Sequence, residues 1–225
     1  MISKSRTVII VAGGKGERMN SDTPKQFLMV HHRPVLMHTI GLFRRFDADC
    51  SIIVVLPGEQ LEYWKELCDA YRFDIPHTVV CGGSSRFLSV KSGLGAAPDV
   101  GLIGIHDGVR PLVSVETVEA CFRAAEISKA VIPVTDAVES IRKLTGTGSV
   151  AVDRTQYKLV QTPQVFEASL IKQAYSQEYS PLFTDDASVV EAYGHAVELV
   201  YGNPENIKIT TPGDLLIAEA FLNNA

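Results

Sequence analysis

The 225-residue sequence carries AGGKGERM at residues 12–19, directly after the apolar run TVIIV at 7–11, and the next lysine is Lys25. Glycines at the carboxyl end of a strand let the backbone approach a ligand, and consecutive N–H groups in such a turn form an anion-binding concavity. Ala12, Gly13, Gly14 and Gly16 supply that turn, while Arg18 offers a planar fork and Lys25 a point charge to the oxygens of a polyphosphate. The spacing excludes the two familiar nucleotide loops. A phosphate loop counted from Gly13 needs glycine where Arg18 stands, and a dinucleotide fingerprint counted from Gly14 needs it where Met19 stands. A solvated basic loop is the alternative for this stretch taken alone.

Groups suited to phosphate and nucleoside recur after other apolar runs. CGGSSRFLSV places Gly82, Gly83 and Ser89 after one, HDGVRPL places Asp107, Gly108 and Arg110 after another, and NIKITTPGDL places Lys208 just before the last helical segment. For these to act together, the elements before them must bring their ends to one rim. TVIIV (7–11), SIIVVL (51–56), HTVVC (77–81), GLIGIH (101–106) and AVIPV (130–134) are short, β-branched and non-alternating, as strands covered on both faces of a parallel sheet should be. Helix-period segments intervene: PVLMHTIGLFRRF, EQLEYWKELCDAY after Pro57-Gly58, and VETVEACFRAAEI behind Ser114 as N-cap. The expectation is one Rossmann-like, doubly wound α/β domain with a mostly parallel sheet, whose ligands bind at the strand carboxyl ends.

The rhythm breaks at about residue 135, where VESIRKL and SVAVDR flank the turn signal TGTG and predict a β-hairpin. A two-stranded hairpin is marginal alone, so an arm over about 135–160 that packs on a second subunit is expected, the alternative being a hairpin folded back on its own sheet. FEASLIKQAYSQEY and DDASVVEAYG then read as helices, ENIKIT as a strand, and PGDLLIAEAFLNNA as a terminal helix.

Composition narrows the partners. With 46% hydrophobic and 21% charged residues the chain can bury a large core, and a net charge of −5 disfavours nucleic acid or an anionic membrane as partner. The start MISKSRTVII lacks a signal-peptide pattern and no run approaches a membrane span, so a cytoplasmic protein is expected. Cys50, Cys68, Cys81 and Cys121 have no metal or redox spacing and read as buried thiols. His31, His32 and His38 have no third ligand at a credible spacing, Trp64 reads as packing, and Asp185-Asp186 as a helix start.

AGGKGERM, PKQFL, GGSSRFLSV, HDGVRP, VDR, QTPQVF, TDDAS and NIKITTPGDL together resemble the 2-C-methyl-D-erythritol 4-phosphate cytidylyltransferase family. The resemblance runs from the first strand to the C-terminal segment. It implies transfer of the cytidylyl group of CTP to the acceptor phosphate with release of pyrophosphate, Mg²⁺ or another divalent cation being held mainly by the CTP phosphates rather than by a protein ligand set. By the same resemblance Arg18, Lys25 and Lys208 act on the triphosphate. The main chain at Ala12, Gly13, Gly14, Gly82 and Gly83, with Ser89, holds the base, Gly16 belongs to the same CTP site, and Asp107 and Gly108 contact the ribose. Asp107, Arg110, Thr135, Thr162 and Lys208 lie toward the acceptor, whose phosphate is held by Thr162 and by Arg154 from the other subunit's arm, which implies a homodimer; the alternative for Arg110, an arginine just before a proline, is to pair with Asp107 and hold the loop. Ala137 stands where many members have a hydroxyl residue. Ribitol-5-phosphate cytidylyltransferases share several of these elements, but Arg154 eight residues before Thr162 is the methylerythritol pattern. A sugar-1-phosphate nucleotidyltransferase fits the short chain less well, and a non-catalytic regulatory subunit fits the intact basic residues less well.

Overall fold

The computed structural model describes residues 5–14, 19 and 23–223. In chain order the elements are β1 (Arg6–Val11), β2 (Met29–Val30), β3 (Arg33–Pro34), α1 (Val35–Phe46), β4 (Ser51–Leu56), α2 (Leu61–Tyr71), β5 (Thr78–Cys81), α3 (Arg86–Ala96), β6 (Leu102–Asp107) and α4 (Val115–Ser128). There follow β7 (Ala130–Asp136), β8 (Arg142–Thr145), β9 (Gly148–Ala151), β10 (Lys158–Val160), β11 (Gln164–Glu167), α5 (Ala168–Ala174), α6 (Asp186–Ala192), β12 (Glu198–Tyr201) and α7 (Pro212–Leu222).

Strands β5, β4, β1 and β6 lie side by side and parallel, and β11 joins β6 antiparallel. Beyond them β7 pairs antiparallel with β11 and β10 and parallel with β12, giving an eight-stranded, mostly parallel sheet. Between β10 and β11 the ladder against β7 is interrupted: Val160 faces Val134 and Val165 faces Val131, so the segment with the cis Thr162–Pro163 bond bulges out of register.

Both faces of the central strands are dry, which is why their sequences run continuously apolar. Val8 and Ile10 of β1 and Ile52 and Val54 of β4 pack with Leu36, Ile40 and Phe43 of α1 and with Val118 and Phe122 of α4. The intervening Ile9, Ile53 and Val55 meet Phe87, Val90 and Leu94 of α3 and Ile171 of α5 on the other face. Each such side chain contributes about 1.5–3 kcal/mol by leaving water. Trp64 belongs to this packing, with its indole N–H bonded to His77. Helix starts follow their caps: the Ser114 hydroxyl accepts from Thr117 N–H, and Asp185 and Thr211 each form a capping box.

The structure departs from the sequence expectations at several places. ENIKIT is irregular rather than a strand, because Ile209 is buried by packing and by one bond from its N–H to Val109 O, not by a ladder. Phe166 opens no helix but lies in β11, taken into the sheet between β6 and β7. Cys81 is exposed and Cys68 only partly buried, since β5 is the sheet edge and α2 an outer helix; Cys50 and Cys121 are buried as expected. The β8–β9 hairpin forms a separate two-stranded sheet with Leu144 82% and Val150 49% exposed, so it does not fold back on the main sheet of its own chain. Among the described residues no helix is long and apolar enough to cross a membrane.

Two glycines of α3 separate packing from propensity. A Cβ on Gly93 would lie 2.6 Å from Ile9 Cγ2 and 3.0 Å from Val55 Cγ2, whereas one on Gly95 meets nothing within 4 Å. Gly95→Ala should raise stability by up to about 1 kcal/mol through helix propensity. Gly93→Ala, the same change two residues earlier, should lower it by about 1–3 kcal/mol through overpacking. Urea unfolding of both variants gives the comparison.

Candidate active site

A hollow of about 550 Å³ opens at the carboxyl ends of β1, β4, β5 and β6. The chain runs from β1 to β4 and β5 on one side and returns to β6 on the other, so the hollow lies at the point where strand order reverses. Its wall is built by backbone continuing past the strands: Ala12 N–H bonds to Val55 O, Gly82 N–H to Leu56 O and Gly108 N–H to Val11 O. Side chains are excluded where these turns meet. A Cβ on Gly83 would lie 2.3 Å from Leu88 Cβ, and one on Gly108 would lie 2.8 Å from Ala12 Cβ. The buried Ser89 hydroxyl bonds both the N–H and the carbonyl of Gly83, fixing that turn at the start of α3.

Three cations converge on one carboxylate. Asp107 ends β6 and is 7% exposed. Its Oδ2 accepts from Arg110 Nε at 3.0 Å and lies 3.1 Å from Lys208 Nζ; Arg86 Nε stands 3.9 Å from Oδ1. Burial pushes the carboxyl toward its neutral form, but Lys208, Arg86 and Arg110 outweigh that and hold it well below the usual carboxylate range. Oδ1 is therefore the oxygen left to accept from a ligand hydroxyl. Arg86 is itself clamped by Asp186 through two bonds of 2.8 and 2.6 Å, and Asp186 also accepts from Tyr175 OH at 2.5 Å. Burial opposes the Tyr175 phenolate most, followed by the Asp186 charge, and its pKa is raised.

Lys25 enters from the turn before β2 and lies against the glycine backbone, a Cβ on Gly14 falling 3.5 Å from its Nζ. The neighbouring Gln26, fully buried, donates to Gln60 at 2.5 Å and ties this lip to the loop after β4.

Of the residues expected from sequence, the hollow brings together Ala12, Gly13, Gly14, Lys25, Gly82, Gly83, Ser89, Asp107 and Lys208. Gly16 and Arg18 lie outside the described residues. Gly108 stands behind the wall, against Ala12. Arg110 faces Asp107 and Asn206 O rather than the opening, with only 13% of its side chain exposed against 40% for Lys208. Thr162 is buried, and Thr135 pairs with Leu159 in the sheet. Arg154 lies on the arm with its guanidinium on Val138 O and does not line this chain's hollow. Asp185 and Asp186 stand at the start of α6 as expected, Asp185 as its cap; that Asp186 also clamps Arg86 was not foreseen.

Arg86 was not singled out by sequence, although it lies inside GGSSRFLSV; a cation at the first position of a helix following a glycine turn was the available signal. Pro57–Gln60 also lines the hollow, and Pro57-Gly58 directly after a strand was the corresponding sign.

Beneath Asp107, His106 is fully buried with Phe43 edge-on to its ring. Its Nε2 bonds to Arg110 O at 3.0 Å, where only an N–H can serve, so Nδ1 accepts from the Thr162 hydroxyl at 2.9 Å. That hydroxyl oxygen in turn accepts from Asp107 N–H at 3.2 Å. Burial above all lowers the imidazole pKa to about 4, leaving a neutral ring that cannot reach the hollow.

A hollow at the point where strand order reverses, lined by a glycine turn, a helix start, Lys25, Lys208 and the buried Asp107, fits a nucleotidyltransferase of the α/β class. The family model described as IspD, 2-C-methyl-D-erythritol 4-phosphate cytidylyltransferase, matches residues 6–224, and the chain belongs to that family. It is 60% identical over 217 residues to the protein of that name from Bacteroides thetaiotaomicron, covering 96% of this chain and 99% of the relative. It is 38% identical over 222 residues to that from Bacillus thuringiensis, covering 96% and 97%. Among solved structures, the 4-diphosphocytidyl-2C-methyl-D-erythritol synthase of Anaerococcus prevotii superposes with a TM-score of 0.83 at 30% identity, covering 98% of this chain and 96% of that one. The 2-C-methyl-D-erythritol 4-phosphate cytidylyltransferase of Thermus thermophilus gives 0.80 at 32% identity, covering 97% and 99%.

The His106 arrangement has a pH signature. Its folded pKa, about 4, lies below the ordinary 6.5, so the unfolded chain binds the extra proton between these values and stability falls as pH drops through that window. The loss attributable to this ring is roughly 3 kcal/mol at most. Urea unfolding at about pH 7 and about pH 5 should show His106→Gln less stable than the parent at the higher pH but with a smaller fall between the two.

Proposed function

We propose that the chain joins CTP and 2-C-methyl-D-erythritol 4-phosphate to give 4-diphosphocytidyl-2-C-methyl-D-erythritol and pyrophosphate. The observation that carries this reading is the pair Lys25 and Lys208 on one hollow with the glycine turn and Asp107, in a chain of this family. The triphosphate lies against the main-chain N–H groups of the glycine turn, the cytosine near Gly82, Gly83 and Ser89, and a ribose or acceptor hydroxyl donates to Asp107 Oδ1. The acceptor phosphate oxygen attacks the α-phosphorus in line; the new P–O bond forms as the bond to the bridging oxygen of pyrophosphate breaks. That nucleophile is mostly ionised near neutral pH, since a phosphomonoester's second pKa is about 6, and needs no protein base. Lys25 and Lys208 offset the negative charge that grows on the α-phosphoryl oxygens, with Arg18 as a third cation by family resemblance.

Mg²⁺ fits a site of this kind as a passenger of the nucleotide. Asp107 Oδ2 is taken by two cations, and the described residues include no cluster of three or more histidine, cysteine or acidic side chains suited to a metal. Such an ion, carried in with the nucleotide, would supply charge neutralisation to the leaving pyrophosphate. The four free thiols suit a reducing cytoplasm.

The reading is tested by pyrophosphate release from CTP with methylerythritol phosphate and, separately, ribitol 5-phosphate. Turnover should require the first, and Lys25→Ala should lower kcat by roughly 10²–10³-fold with a much smaller change in CTP binding. Turnover with ribitol 5-phosphate alone would overturn the acceptor, and near-parental kcat in Lys25→Ala would overturn the role of the lysine.

The exposed arm supports a homodimer in which Arg154 reaches the neighbour's acceptor phosphate, because Leu144 and Val150 on β8 and β9 and Leu159 on β10 have apolar surface to cover. Arg154→Ala should raise KM for the acceptor and leave CTP binding nearly unchanged. Mixed with Lys25→Ala, it should recover about a quarter of parental activity, since half the dimers would each carry one intact site. No recovery despite demonstrated subunit exchange would place Arg154 in its own chain's function.

A further inference from the structure

A second hollow of about 550 Å³, sharing no lining residue with the first, opens beside the β2–β3 turn. His31, His32, Arg33, His38, Arg44 and Arg45 surround it, and none of its described lining residues is acidic. Six basic side chains around one cavity are unexpected in a chain of net charge −5. The crowding is felt by His38: burial first, and then the charges of His31, Arg33 and Arg45, lower its pKa against the raising effect of its bond to Val30 O. Among the described residues neither Arg33 nor Arg45 forms an ion pair, and Arg44 Nε is buried without an acceptor while the rest of its guanidinium bonds Ala48 O and Pro76 O. The Glu219 carboxylate, beside the turn, is engaged by His31 N–H at 2.6 Å.

Local geometry also favours an opening at this place. His31 and His32 have φ of 44° and 63°, left-handed values that asparagine or glycine would adopt at lower cost in a two-residue hairpin turn. Asn223 Oδ1 holds the His31 ring at 2.6 Å, so the strained turn presents that imidazole in a fixed place. Gly41, inside α1, also lines the hollow, and a Cβ there would lie 3.7 Å from an Arg45 terminal nitrogen and 3.9 Å from Ile75 Cδ1. Anything longer than a methyl group at that position would fill the space. The floor is apolar, formed by Met37, Phe73 and Ile75.

We propose that this hollow binds a small phosphorylated molecule, its phosphate bridged by Arg33 and Arg45 and its non-ionic part resting on Met37, Phe73 and Ile75. Arginine forks match phosphate oxygens, the apolar floor accepts a ring or alkyl body, and the volume lies in the range of small-molecule pockets. A basic patch without the floor would take inorganic phosphate as well as an organic phosphate; this one discriminates between them.

The test titrates phenyl phosphate and, separately, inorganic phosphate into the full-length protein while following the histidine ring signals by NMR. Phenyl phosphate should shift His31, His32 and His38 saturably and leave His106, under the first hollow, and His195 in place. Inorganic phosphate should bind at least ten-fold more weakly. Arg33→Gln with Arg45→Gln should weaken phenyl phosphate at least ten-fold, as should Gly41→Leu, which keeps all six basic groups but closes the space; Lys208→Gln should change nothing. CTP-dependent turnover, which belongs to the first hollow, should persist in the Arg33, Arg45 and Gly41 variants, so failure of the cytidylyl-transfer reading and failure of this one are separately visible. Absence of saturable binding, equal affinity for the two probes, or loss only in Lys208→Gln would each overturn the proposal.

Discussion

A buried carboxylate at the end of a central strand must be compensated, and that constraint organises the functional end of this molecule. Asp107 is charged in a place where water is largely excluded, which costs several kcal/mol unless cations are brought to it. They come from three separate parts of the chain: Arg110 from the loop after β6, Lys208 from the segment before α7 and Arg86 from the start of α3. Two of these are held in turn, Arg110 by Asn206 O and Arg86 by Asp186. The rim is thus one network, and the side chains open to the hollow, Lys208 and Arg86, are placed by the same carboxylate that a ligand hydroxyl would meet.

The layer below has the opposite character. His106 next to Asp107 is kept neutral by burial, and its two ring nitrogens are committed to Arg110 O and the Thr162 hydroxyl. Through Thr162 the chain of bonds returns to Asp107 N–H, and Asn206 Nδ2 secures Thr162 O at 2.8 Å. The interruption between β10 and β11 therefore has a use in the packing: the residues that leave the β7 ladder carry Thr162 across to the end of β6. Helix α1 adds a further tie, with the Thr39 hydroxyl donating to Gly108 O at 3.0 Å.

Much of this was legible in the sequence because burial on both faces leaves a local mark. TVIIV, SIIVVL and AVIPV read as strands of a two-sided sheet and are β1, β4 and the first part of β7. The glycines after β1 and β5, Ser89, Lys25, Asp107 and Lys208 stand out by residue type and by position along the chain, and they meet in one hollow. Arg86 escapes such a reading because nothing in a single arginine inside GGSSRFLSV says that Asp186, a hundred residues on, will clamp it at the rim.

The sequence by itself determined the alternation of strands and helices, the excluded nucleotide loops and the family, since each depends on periodicity or on the order of short motifs along the chain. Tertiary structure alone decided which chemical groups face a ligand and which are spent on their neighbours. Arg110 and Lys208 both meet Asp107 Oδ2, yet of the two only Lys208 lines the hollow, and the Thr162 hydroxyl is turned inward to His106. It also decided that ENIKIT is held by packing rather than by a ladder and that Phe166 is a strand residue. The physical reason is that hydrophobic spacing records how much of an element is buried, whereas hydrogen bonds and ion pairs between distant residues form only after the chain has closed and their partners have been brought within about 3 Å.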